Sequence, residues 1–110
     1  MQRRYSDYTV EELRQEIAEL TEKARKAEQM GMVNEYAVHQ RKIVMAKSYT
    51  IDPSQFKGGQ VFEIDGAPGE YLHINYLNGV FAWGARKGKQ GQILSEEEAL
   101  PIALLTRKVR

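Results

Sequence analysis

An Asn-Gly pair between alternating apolar residues is the strongest short-range hairpin signal, because its two-residue turn needs positive φ at both central positions. Residues 74–84 of this 110-residue chain read INYLNGVFAWG, with Asn78-Gly79 in that setting. Taking the pair as the loop fixes a register. Leu77 faces Val80, Tyr76 faces Phe81, Asn75 faces Ala82, Ile74 faces Trp83, His73 faces Gly84 and Leu72 faces Ala85. Directly opposed residues share a face. One face then carries Leu72, Ile74, Tyr76, Phe81, Trp83 and Ala85, whose continuous apolar character predicts the interior of a small barrel. The other carries Tyr71, His73, Asn75, Leu77, Val80, Ala82, Gly84 and Arg86. Antiparallel sheets commonly wet one side, so its plain expectation is a solvated surface. Its functional expectation is a docking surface of Tyr71, His73, Asn75 and Arg86, where Ala82 and Gly84 let a neighbour approach the backbone.

The chain changes character near residue 50. Before it Gly and Pro are nearly missing; after it come most glycines, all three prolines and the β-branched and aromatic runs. Thr9 and Glu12 form a Thr-x-x-Glu capping box, with Tyr8 placed to staple onto Leu13, so a first helix starts there. Val10, Leu13, Ile17, Leu20, Ala24 and Ala27 form a narrow heptad-like stripe for one antiparallel neighbour. Glu19–Lys23 and Glu22–Lys26 are spaced as i,i+4 pairs, and Gly31 supplies a left-handed stop. A second helix spans roughly residues 33–49. Val33, Tyr36, Ala37, Ile43 and Val44 line one side, with Gln40 among them, and Val38, Met45 and Tyr49 line another. A helix apolar on two sides is a middle layer, facing its helical neighbour and then the β part or a second subunit.

The segment TIDPSQFKGG ends this helix. Strands are expected over residues 60–65, 71–77 and 80–86, then a polar loop KGKQGQ, then EEEALPIALLTRKV as a strand broken at Pro101 and a turn at Leu104-Leu105. Short strands punctuated by glycine point to a small barrel. The fold class is α+β: an antiparallel helical hairpin over 1–52, then a barrel subdomain over 53–110.

Chemistry is sparse. The 16 basic and 15 acidic residues leave a net charge of +1, which argues against a dedicated nucleic-acid surface. No cysteine is present, which removes thiol nucleophiles, disulfides and thiolate zinc sites and suits a reducing cytoplasm. The N-terminus lacks the apolar core of a signal peptide, and no run approaches membrane-spanning length. No nucleophile elbow, phosphate loop, dinucleotide fingerprint or HExxH spacing occurs, and His39 and His73 stand singly, with His39 expected on the exposed side of its helix. Glu96-Glu97-Glu98 alternates faces in a strand and reads as a solvated edge. The expectation is a non-enzymatic protein with no catalytic residues, cofactor or metal. Two partner classes follow. One is protein, first of all a second copy, meeting Val38 and Met45 or the outer hairpin face. The other is nucleic acid, meeting a loop of Arg86, Lys87 and Lys89, joined by Lys57, Arg107, Lys108 and Arg110. Against the second, the acidic triplet lies close by, and rings placed inside leave no stacking platform.

The blocks EKARKAEQMG, NEYAV followed by RK and MAK, YLNGVFAWG and EEEALPI occur in order along nearly the full length. In them the chain resembles the YfhH family of small uncharacterised proteins of Bacillus-type bacteria. The resemblance implies an N-terminal helical hairpin followed by an SH3-like barrel. It also implies a transcriptional-regulator label, with no catalytic or binding motif to carry over residue by residue. The groove residues with which signalling SH3 domains grip proline peptides are not recognisable, so that activity is not expected.

Overall fold

The structure, a computed structural model, describes residues 3–110; Met1 and Gln2, at the start of the expected helical subdomain, lie outside the described residues. The chain forms two compact units, Met1–Ile51 and Asp52–Arg110.

In the first unit a 3-10 turn, Tyr5–Asp7, precedes helices α1 (Val10–Gln29) and α2 (Val33–Ser48). Helix α1 starts on the capping box. The Thr9 hydroxyl oxygen accepts from the Glu12 amide at 3.1 Å, and the Glu12 carboxylate accepts from the Thr9 amide at 2.9 Å. Arg3 donates to the same carboxylate, which is thereby held down at about 2. The helix ends in a Schellman motif: the Met32 amide reaches the Ala27 carbonyl at 2.8 Å, the Gly31 amide reaches Glu28, and Gly31 sits at φ +69°. The interhelical seam is Leu20, Ala24 and Ile43, flanked by Ile17 and Tyr36. Val10 and Val33, expected in the seam, are exposed at its open ends, Val33 at 74%. The surface ion pairs also differ from expectation, joining Glu11 to Arg14 and Glu22 to Arg25 at i,i+3.

The second unit opens with a 3-10 turn, Pro53–Gln55, and continues with β1 (Val61–Ile64), β2 (Glu70–Asn78), β3 (Phe81–Gly88) and β4 (Ile93–Pro101). A 3-10 turn, Ile102–Leu104, then leads into β5 (Leu105–Lys108). All pairings are antiparallel, and the strands form one open sheet in the order β4-β3-β2-β1-β5. Phe62, Ile64, Leu72, Ile74, Val80, Ala82, Leu100, Ile102 and Leu105 are buried, with Phe56 packed on Phe62 at 5.1 Å between ring centroids.

The hairpin is present, but its loop lies one residue further along the chain than expected. Asn78 pairs with Phe81, so the loop is Gly79-Val80. Among the described residues only glycines have positive φ, and Gly79, at +59°, is the one in this turn. A two-residue turn with glycine first avoids the left-handed conformation at Asn78 that the Asn-Gly loop required. The slip also buries Val80, whose carbonyl accepts from the Ile102 amide at 2.9 Å. Near the turn each partner thereby moves by two, Tyr76 from Phe81 to Trp83, which keeps these rings on one face. Beyond Asn75 the pairing is shifted by one, Ile74 meeting Gly84 instead of Trp83, and a one-residue shift exchanges faces. Strand β3 accordingly turns Ala82 and Gly84 inward and Phe81, Trp83, Ala85 and Lys87 outward. Strand β2 keeps Leu72 and Ile74 inward because an irregularity between Ile74 and Tyr76 leaves Asn75 as an extra, unpaired residue. The barrel-interior expectation for Tyr76, Phe81, Trp83 and Ala85 is thus corrected: Tyr76 is 48% exposed and the other three are half-buried.

Candidate functional site

Cross-strand pairing assembles one outer face from three strands. Tyr76 of β2 stands opposite Trp83 of β3, which stands opposite Ala99 of β4; Phe81 stands between Asn78 and Pro101. The Tyr76 and Trp83 rings are nearly parallel, 5° apart in plane with centroids 6.1 Å apart. Further along, His73 pairs with Ala85, and Lys87 lies between Tyr71 and Ile93, itself 58% exposed. The result is an aromatic plate bordered by one cation and one imidazole. Burial first, and then the charges of Lys87 and Arg110, hold the His73 imidazole below its ordinary value. Arg110 reaches the same border, since its carbonyl accepts from the amide of Val61, the β1 residue paired with His73.

The expected docking surface of Tyr71, His73, Asn75, Ala82, Gly84 and Arg86 does not form as one face. Tyr71 and His73 share the outer face with the rings. Ala82 is fully buried and Gly84 is buried. A neighbour does approach Gly84 closely, but it belongs to the same sheet: a Cβ there would lie 1.9 Å from the His73 carbonyl oxygen. Asn75 is exposed in the bulge, and its carbonyl oxygen would lie 2.5 Å from a Cβ at Gly58. The Gly59 amide and the Gln60 carbonyl bond the Ile74 carbonyl and amide, fixing the bulge from the side.

Arg86 is tied. Its guanidinium donates to both Glu98 oxygens, at 2.9 and 2.7 Å, and to Glu70 at 3.0 Å. The Arg86 guanidinium, bonded to both oxygens, holds the Glu98 carboxyl below the usual carboxylate range. The expected loop of Arg86, Lys87 and Lys89 is also corrected, since Arg86 and Lys87 belong to β3 and face opposite sides; only Lys89 lies in the turn. The Lys89 chain covers Gly69, its Cε 3.1 Å from where a Cβ would be. Arg107 donates to Glu63 at 2.8 Å. Lys57, Lys108 and Arg110 are exposed. The seven basic candidates therefore do not converge on one patch; Lys87 and Arg110 are the two that border the rings.

On the helical unit, Val38 is exposed and Met45 half-buried, and both line a groove of about 550 Å³ with Tyr49. His39, expected on the exposed side, is half-buried, with a buried Nδ1 that has no hydrogen-bond partner. Glu96 and Glu97 are exposed on β4 and Glu98 turns to Arg86. Among the described residues, no group of three or more His, Asp or Glu side chains comes together as a metal site, and no helix is long and apolar enough to cross a membrane. The surface rings and the cations of the groove escaped the sequence reading. The sole hint of the former was the valine after Gly79, better suited to the inside of a turn than Asn78 is to a left-handed backbone.

Over residues 3–106 the chain matches the model of a family described as a protein of unknown function, DUF1811. It is 50% identical to the Uncharacterized protein YfhH of Bacillus subtilis (strain 168) over 108 residues, covering 98% of this chain and 99% of that protein. The YfhH-like resemblance of the sequence blocks is thereby shown.

Proposed function

The chain belongs to the DUF1811 family of proteins of unknown function, and from its own surface we propose a non-enzymatic, cytoplasmic interaction module that self-associates through the outer face of its sheet. The observation that carries the proposal is the Tyr76–Trp83 stack, left at the surface beside half-buried Phe81. Large rings are the side chains that most often anchor protein interfaces, because they desolvate much area with little rotamer entropy lost. A two-fold contact would set the plates of two copies against each other. A chain this short also gains from a partner's apolar surface. The strand order, with a single 3-10 turn between the last two strands, supports an SH3-like reading of the sheet.

Light scattering at about 50 μM, a concentration that populates micromolar dimers, is the test. A dimer is expected, and the double variant Tyr76→Ser, Trp83→Ser is expected to be monomeric with an unchanged helical signal. A monomeric natural chain would end the self-association proposal.

Nucleic acid is the second reading, favoured by the same rings. Their outward placement restores a stacking platform, and Lys87 and Arg110 supply cations near it. Such a module would serve a regulator bound to single strands. Trp83 is the sole tryptophan, so a base stacked on it would quench the protein's intrinsic fluorescence. Quenching by short oligonucleotides should weaken steeply with salt, and Lys87→Ala should lower the salt slope by about one. Fluorescence unmoved at low salt removes this reading.

A further inference from the structure

The helical unit carries a second surface, unrelated to the sheet's rings. Val38, Arg41, Lys42, Met45 and Tyr49 project from one side of α2 at spacings of three and four residues, and Arg4 and Tyr5 close the groove from the N-terminal turn. The floor is apolar, with Val38 39% exposed and Met45, Tyr49 and Tyr5 half-buried. The rim is cationic: Arg4, Arg41 and Lys42 are all exposed, and no Asp or Glu lines the groove. Among the described residues none of these three cations forms an ion pair, whereas Arg3, Arg14, Arg25, Arg86 and Arg107 all do. Glu16, in the adjoining hollow beside Lys42, accepts a hydrogen bond from the Tyr5 hydroxyl at 2.8 Å. Three unpaired positive charges around a recessed apolar floor call for carboxylates flanking an apolar anchor.

We propose that this groove docks an acidic amphipathic helix of a partner protein. One or two large apolar residues seat on Val38, Met45 and Tyr49, and flanking Glu or Asp side chains meet Arg4, Arg41 and Lys42. Length fits: the stripe from residue 38 to residue 49 spans about 16 Å at 1.5 Å per residue, three turns of a bound helix. Helix-in-groove recognition reads anchors at these same spacings. Charge selects against a second copy docked two-fold through this surface, because the three cations would face their own equivalents. Concavity favours a side-chain anchor over a flat lipid surface, which rewards protruding apolar residues.

The test uses the full chain and a labelled synthetic amphipathic helix of about fourteen residues, with Leu at i, i+4 and i+7 and Glu flanking them. Its twin carries Lys for every Glu. Fluorescence anisotropy should show the acidic peptide binding, more weakly as salt rises, and the basic twin not binding. Reversing the rim with Arg41→Glu and Lys42→Glu should weaken binding about tenfold or more, and Val38→Asp should do the same while the helical signal and unfolding midpoint stay put. Trp83→Ser should leave binding unchanged, which separates this groove from the sheet face. Equal binding of both peptides, or none of the acidic one at about 100 μM, overturns the proposal. So does co-sedimentation with anionic phospholipid vesicles in place of peptide binding, which would make the groove a membrane contact.

Discussion

In the helical unit the groups that start and stop each element lie within five residues of one another, as Thr9 with Glu12 and Ala27 with Met32 do. In the sheet unit the groups that fix β2 and β3 come from well apart in sequence: Gly58 beside Asn75, Gly84 against His73, Val80 bonded to Ile102. Helix α1 is therefore specified by local hydrogen bonds, and its seam adds a thin strip of Leu20, Ala24 and Ile43. The sheet is specified by which backbone fits against which. A helix in this chain tolerates a surface change anywhere outside its seam and caps. The sheet is intolerant at glycines that bear no side chain at all.

The sharpest challenge to that contrast is Gly84→Ala. A single methyl would meet a backbone carbonyl, which has no side-chain freedom with which to yield, so a loss of about 4 kcal/mol is expected. Urea unfolding followed by Trp83 fluorescence measures it; a loss below about 1 kcal/mol would show that β2 and β3 part easily. The helical seam should rank next. Leu20→Ala empties a buried site and should cost about 3 kcal/mol, read from the far-ultraviolet helical signal.

Arg86→Ala should cost about 1–2 kcal/mol, because it strands Glu70 and Glu98 half-buried while water still screens them. Its pH dependence has a definite sign. The folded Glu98 carboxyl lies below its unfolded value, so its contribution is full above the usual carboxylate range and disappears as pH falls through the depressed folded value. The acid limb of the natural chain should therefore be steeper than that of the variant. Smallest is Thr9→Ala, which removes one side of the capping box for about 1 kcal/mol.

These differences explain what could be read in advance. Thr9, Glu12 and Gly31 announce α1 because cap chemistry is contiguous in sequence. Asn78-Gly79 announces a hairpin for the same reason, but not its register, which Val80 settles by finding a place inside. The bulge at Asn75 leaves no mark of its own, since it exists only with Gly58 alongside. The faces were therefore assigned to β3 in reverse, and the rings moved from interior to surface. On α2, Val38 and Met45 were legible as a second apolar side from periodicity alone. The cations around them were not, because Arg4 arrives from a different element.

Strand β4, nine residues long, closes one side of the sheet and pairs with β3 alone, with Ile93 and Leu94 exposed at its start. A free edge of this length is a template for sheets of other molecules, and Glu96 and Glu97, exposed midway along it, repel an identical strand laid antiparallel. Colloidal behaviour then depends on two carboxylates that contribute nothing to the interior. Exchanging both for uncharged residues is set to cost solubility before it costs folding, so the dispersal of this protein in solution rests on two glutamates on its rim.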